Sequence, residues 1–132
     1  MGRGAADYRH FVMQKALIQK HFECFHCEFN SRKLTCTGEI TPAEGCDPYT
    51  IRIDYSPGMT PKVWVLRPKI KPRPEIHMYR EGCLCLYHPP EDPWLRTDNI
   101  HEKIIPWTAE WLVYYELYLL HGKWLAPEAP HK

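Results

Sequence analysis

Two stretches of this chain alternate with a period of two. Leu34, Cys36, Gly38 and Ile40 interleave with Thr35, Thr37 and Glu39; further on, Tyr49, Ile51, Ile53 and Tyr55 interleave with Thr50, Arg52 and Asp54. Successive side chains of a strand point to opposite faces, so both rows read as half-buried strands with a polar outer face. Thr41-Pro42-Ala43-Glu44-Gly45 is a turn between them, and Ser56-Pro57-Gly58 closes the second. Val63-Trp64-Val65-Leu66 is a third, more apolar strand. Three strands with short connections form an antiparallel meander. Pro68, Pro72 and Pro74 follow; proline brings no N–H to a ladder, so the sheet ends there.

Helical spacing flanks this sheet. Residues 5–22 read as a helix, with Tyr8, Phe11, Val12, Ala16 and Phe22 on one stripe and Asp7 as its cap. A second helix starts near Thr108 as N-cap, with Glu110 suited to the first-turn dipole. Trp111, Leu112, Tyr115, Leu119 and Gly122 keep one face, Gly122 is the stop, and Trp124 is placed for the capping contact. Residues 126–132 read as surface strand or coil. The order is helix, meander, long loop, helix, which gives an α+β architecture with helices packed on a small antiparallel sheet, one domain over 1–132.

Between the sheet and the second helix, residues 75–100 keep no period and hold Cys85, Pro89-Pro90 and Asp92-Pro93. Long irregular loops in compact domains are usually functional. Within this one lies Glu81-Gly82-Cys83-Leu84-Cys85-Leu86. A nucleophilic thiolate needs an accessible, non-repetitive backbone, and the loop glycine supplies one. Cys83 and Cys85 point the same way along an extended segment, so alternation alone does not separate them; Cys83 reads as the buried neighbour.

Charge excludes other classes. With 17 basic and 16 acidic side chains the net charge is +1, which makes no field for nucleic acid or an anionic membrane. Met1-Gly-Arg-Gly-Ala-Ala has no apolar export core and no Ser or Thr at position 6 for myristoylation, and no run reaches membrane-spanning length. A cytoplasmic location is expected, and with it six free thiols rather than disulfides. Cys24-Phe-His-Cys27, with His21, His26, Cys36 and Cys46 nearby, is the one zinc-like grouping. It lacks a second standard pair. Cys24 and Cys27 read instead as buried residues at the end of the first helix and the start of strand one. No phosphate loop, Ser-His-Asp order or metalloprotease motif occurs, so neither cofactor nor metal is expected.

Gly82-Cys83-Leu84-Cys85-Leu86, Trp94 after it, Tyr49-Thr-Ile-Arg-Ile-Asp-Tyr55 and Pro61-Lys-Val-Trp-Val65 together resemble the ubiquitin-conjugating enzyme fold. A narrower resemblance rests on Pro74-Glu-Ile-His77, Cys85-Leu-Tyr87, Trp94, Ile104-Ile-Pro-Trp107-Thr-Ala-Glu-Trp111-Leu, Tyr115-Glu116, Gly122-Lys-Trp124 and His131. These are similar to the bacterial conjugating enzymes of short type II cyclic-oligonucleotide-based antiphage signalling (CBASS) operons. The resemblance implies that Cys85 carries the C-terminus of a partner cGAS/DncV-like nucleotidyltransferase as a thioester and passes it to an amine. That transfer would prime the defence enzyme.

Two departures matter. His77 stands where the wider family's His-Pro-Asn places its asparagine, and the two C-terminal helices of longer members are missing. His77 then takes the role of oxyanion donor or proton acceptor, against a plain loop-shaping role. His88 and His101 would steer the acceptor amine and Asp98 would orient it, against the reading of all three as solvated loop residues. The alternatives are a catalytically inactive conjugating-fold module that binds the nucleotidyltransferase without chemistry, and a small zinc adaptor. A carboxylate needs activation before it becomes a thioester, and no nucleotide site is visible in the sequence.

Overall fold

The computed structural model describes residues 3–86 and 93–125. Tyr87, His88, Pro89-Pro90, Asp92 and the tail from Ala126 to Lys132, His131 included, lie outside the described residues. The chain runs α1 (Arg3–His21), β1 (His26–Phe29), β2 (Leu34–Ile40), β3 (Tyr49–Tyr55), β4 (Lys62–Arg67), a 3-10 turn (Pro74–Ile76) and α2 (Ile104–His121). The strands form one antiparallel sheet in the order β1-β2-β3-β4.

The two alternating rows are β2 and β3. Leu34, Cys36 and Gly38 of β2 and Tyr49, Ile51, Ile53 and Tyr55 of β3 are buried, while the interleaved residues are partly or fully exposed. Leu34 faces Tyr55, Cys36 faces Ile53 and Gly38 faces Ile51, so one register serves the whole inner face. Onto that face pack Phe11 and Ile18 of α1 and Ile104, Ile105 and Leu112 of α2. Each fully buried aliphatic or aromatic side chain contributes about 1.5–3 kcal/mol, and this layer supplies most of the driving force.

The sheet has four strands rather than three. β1 is only His-Cys-Glu-Phe, too short to display a period, and is a strand because Cys27 pairs with Cys36 and Phe29 with Leu34. Cys27 is buried as expected, but Cys24 is exposed in the preceding turn, where its thiol donates to the Glu39 carbonyl at 3.1 Å. Among the described residues no three His, Cys, Asp or Glu side chains are grouped to hold a metal ion. No described helix is long and apolar enough to cross a membrane.

Both helices differ from their expected limits and faces. Asp7 is inside α1 rather than capping it, and its carboxylate meets Arg96 at 3.4 Å. The buried row is Phe11, Gln14 and Ile18, while Tyr8, Val12 and Ala16 are exposed. A polar residue takes the inner position because its amide is fully used. Gln14 donates to Asn99 Oδ1 at 2.9 Å and accepts from the Ile100 N–H at 3.0 Å, strapping the segment before α2 to α1. α2 begins at Ile104, with Lys103 at its N-cap and no side-chain cap. Pro106 falls in the first turn, where its missing N–H breaks no helical bond. Thr108 is thus a buried helical residue donating to the Ile104 carbonyl at 2.7 Å, and Glu110 lies beyond the first turn. Leu119 is exposed rather than on the inner face. Gly122 ends the helix as expected, with φ 77° and its N–H on the Tyr118 carbonyl, and Trp124 folds back to Trp111 at 5.4 Å.

Gly38 is needed for lack of a side chain. A Cβ there would lie 2.5 Å from Cγ and Cδ1 of buried Phe25. Gly38→Ala should therefore cost about 1–3 kcal/mol by overpacking. Urea unfolding checks it, and an unchanged midpoint would mean that the Phe25 ring moves aside freely.

Candidate functional site

The cysteine segment is a small hairpin laid against β4. Tyr79-Arg80-Glu81-Gly82 reverses the chain, with the Gly82 N–H on the Tyr79 carbonyl at 2.9 Å. Gly82 has φ 111°, a conformation open to glycine and strained for other residues. Two further bonds set the register: Tyr79 N–H to the Cys83 carbonyl and Cys85 N–H to the His77 carbonyl, both 2.9 Å, with Met78 opposite Leu84. The Leu84 N–H reaches the Val63 carbonyl of β4 at 2.8 Å and docks the hairpin on the sheet. Met78 and Leu84 enter the core. By alternation Tyr79, Cys83 and Cys85 share the other face.

α2 pins the hairpin's other end. His77 closes the 3-10 turn in the left-handed conformation, φ 58° and ψ 57°. The indole N–H of Trp111 is shared between the carbonyls of Ile76 at 3.1 Å and His77 at 3.2 Å. The His77 ring leans on Trp124 at 5.4 Å. Nearby, the Tyr118 hydroxyl donates to Glu75 at 2.6 Å while the Arg73 guanidinium lies over the Tyr118 ring. The residue expected to act and the cysteine expected to carry the acyl group are thus joined directly through backbone.

The two thiols sit in different surroundings. Cys83 is 2% exposed, and its thiol donates to a Glu81 carboxylate oxygen at 3.2 Å. Burial first, and then that carboxylate, push it up to about 12. Lys62 holds Glu81 at 3.0 Å and, ahead of the Cys83 bond, keeps its carboxyl below the usual range. Cys85 is only partly buried. Burial raises its thiol above the ordinary value, and a side-chain hydrogen bond with Tyr79 works in the opposite direction. Beside the hairpin is an open cleft of about 450 Å³, walled by Pro61 and Lys62, by Tyr79 and Glu81, and by Cys83 and Leu86, so the buried thiol backs the cleft. Cys85 is outside that wall; Tyr79 borders the cleft, and its hydroxyl draws the Cys85 thiol down against burial.

The other candidates are elsewhere engaged. Asp98 accepts from the Leu95 N–H at 2.6 Å and pairs with Lys103 at 3.1 Å. His101 stacks on His21 at the end of α1, centroids 4.4 Å apart, and burial and His21 lower its pKa. Among the described residues no hydrogen bond or ion pair joins either to Cys85. His88 lies outside the described residues. Sequence reasoning passed over Tyr79 and took Trp111 as one of the core and loop anchors. Tyr79 carries a signal once the Gly82 turn fixes the register, since it then shares a face with Cys85. The indole bond has none, because α2 and the 3-10 turn are far apart in sequence.

The family model for type II CBASS E2 proteins matches residues 14–132, which include all four strands, the hairpin and α2. No curated protein matches the chain.

Proposed function

The chain belongs to the type II CBASS E2 family, and from that premise we propose that it is a ubiquitin-conjugating-like acyl carrier. Cys85 takes the C-terminus of a partner cGAS/DncV-like nucleotidyltransferase as a thioester and hands it to an amine. The observation that carries this reading is the contrast between the two thiols. Cys85 is partly exposed and its thiol is drawn down by the Tyr79 hydroxyl, while Cys83 is almost wholly buried and donates to a carboxylate.

In the first step the Cys85 thiolate attacks the acyl carbon of an already activated C-terminus, or of an existing bond to it. The C–S bond forms as the former leaving group departs with its electron pair. In the second, the amine attacks the thioester carbon, the C–N bond forms and the sulfur leaves as thiolate. The amine's proton passes to water or to the His77 imidazole. Both steps pass through an oxyanion, and in this reading the His77 imidazole donates to it; the Cys85 N–H to His77 carbonyl bond keeps the two residues adjacent.

Intact mass of Cys85→Ser co-expressed with the neighbouring nucleotidyltransferase tests the reading, because serine turns a labile thioester into a stabler ester. A mass equal to the sum of both chains, absent with Cys85→Ala, supports acyl transfer. A complex held only non-covalently in both variants supports the inactive binding module, the reading that the burial-raised Cys85 thiol favours.

His77→Gly isolates the side chain, because glycine keeps the left-handed turn that alanine would strain. Discharge of the preformed thioester to free lysine should slow about a hundredfold. A discharge rate equal to the parent's would leave His77 as a turn residue alone.

A further inference from the structure

We propose that Tyr79 is the residue that activates the Cys85 sulfur, by donating its hydroxyl hydrogen to the thiolate before attack and again when the sulfur leaves. The use of that thiolate rests on the acyl-carrier reading; the bond itself does not.

The hairpin makes the pairing geometrically. His77 is directly across from Cys85, and Tyr79 directly across from Cys83, as the two 2.9 Å backbone bonds require. Tyr79 and Cys85 are therefore diagonal neighbours on one face, about 7–8 Å apart at their backbones and within reach of an aromatic side chain. The nearer sulfur, Cys83, already donates to Glu81, which leaves Cys85 as the sulfur for the Tyr79 hydroxyl to meet, and the two groups shift each other's titration in the sense of a hydroxyl facing a thiolate. The phenol is held in place from its own backbone, since the Tyr79 N–H and carbonyl are both used inside the turn. Tyr79 is 43% exposed, so its side chain stands where an incoming chain meets the sulfur.

The direction of donation follows from chemistry. A thiolate can only accept, and a phenol can donate. The titratable groups about the pair are Cys83 and Glu81 on the hairpin, Lys62 on β4 and His77 opposite the sulfur. The Cys85 bond first, then burial and the nearby Cys83 and Glu81, push the Tyr79 phenol up to about 12. It therefore keeps its proton near neutrality. Ionisation of Cys85 sends its proton to buffer. On attack the C–S bond forms, on aminolysis it breaks and the amine's proton goes to solvent or His77, and Tyr79 ends each step as it began. Burial alone would leave Cys85 a poor nucleophile near neutrality; the Tyr79 bond offsets it.

The test is the pH profile of iodoacetamide alkylation, read by mass at the Cys85 peptide of the intact chain, in the parent and in Tyr79→Phe. Phenylalanine keeps the ring and removes only the donor. The midpoint should move up by about one pH unit, so that alkylation at pH 7.5 slows about tenfold while the high-pH plateau is kept. An unmoved midpoint overturns the proposal. If Tyr79→Phe does not fold, the reciprocal measurement decides: carbon NMR of the Tyr79 ring should give a lower phenol midpoint in Cys85→Ala than in the parent, and equal midpoints overturn it. A shifted profile supports the bond even where no nucleotidyltransferase adduct forms. An adduct that forms with an unshifted profile removes Tyr79's role and leaves the carrier reading intact.

Discussion

Cys85→Ala is expected to abolish every covalent species with the nucleotidyltransferase, and Cys83→Ala to retain it. The argument is one of access and ionisation. Cys83 is 2% exposed and its thiol is pushed up to about 12. At pH 7.5 such a thiol is almost wholly protonated, and the thiolate is the nucleophile. It is also occupied, donating to a carboxylate that Lys62 holds in place. Cys85 is partly exposed, and the neutral Tyr79 hydroxyl works against the effect of burial on its thiol. Stability should rank the two variants the other way. Cys85→Ala removes a partly exposed sulfur and should change unfolding free energy by about 1 kcal/mol or less. Cys83→Ala leaves a small void beneath the hairpin and should cost about 1 kcal/mol or more. Denaturing gels with and without hydroxylamine, beside urea melts, read both quantities. An adduct that survives Cys85→Ala and disappears in Cys83→Ala would move the nucleophile to the buried sulfur.

How much of this was legible in the sequence depends on the length of each pattern. β2 and β3 are long enough to show a period of two, and their buried rows are the ones alternation picks out. β1 is short, and only its partner strand makes it a strand. The inner face of α1 was misplaced because Gln14 looks like a surface residue, yet Asn99 and Ile100, distant in sequence, satisfy its amide. α2 begins before Thr108 because Pro106, in the first turn, breaks no helical bond. In the loop, Gly82 and its two cysteines marked a candidate site, and His77 proves to be bonded to Cys85 through backbone. Asp98 and His101 were grouped with them by proximity in sequence, but folding draws them toward Lys103 and α1. Tyr79 was missed because a hairpin's faces are defined only when its turn is known.

Trp111 ties fold and candidate site together, so its replacement should show in both. The side chain is 4% exposed, stacks on Tyr115 at 5.4 Å and meets Trp124 at the same distance. Truncation to alanine should cost about 3–5 kcal/mol, a large part of the total stability of a domain this size. Trp111→Phe separates packing from the indole N–H. It keeps an aromatic in the stack but takes the donor from the carbonyls of Ile76 and His77. The His77 carbonyl still holds the Cys85 N–H, whereas the carbonyl of buried Ile76 loses this donor. A buried acceptor left without a donor costs about 1–3 kcal/mol. The larger consequence is local. With the 3-10 turn released from α2, the Cys85 N–H to His77 bond opens more often, so hydrogen exchange at the Cys85 amide should accelerate beyond what the global loss of stability accounts for. The same opening should loosen the register that brings Tyr79 to the sulfur, and Cys85 alkylation in Trp111→Phe should lose part of its dependence on Tyr79. Urea unfolding and amide exchange measure the two effects on one sample. If Trp111→Phe were as stable as the parent, with the Cys85 amide equally protected, the indole would be packing alone and the hairpin would be held by β4.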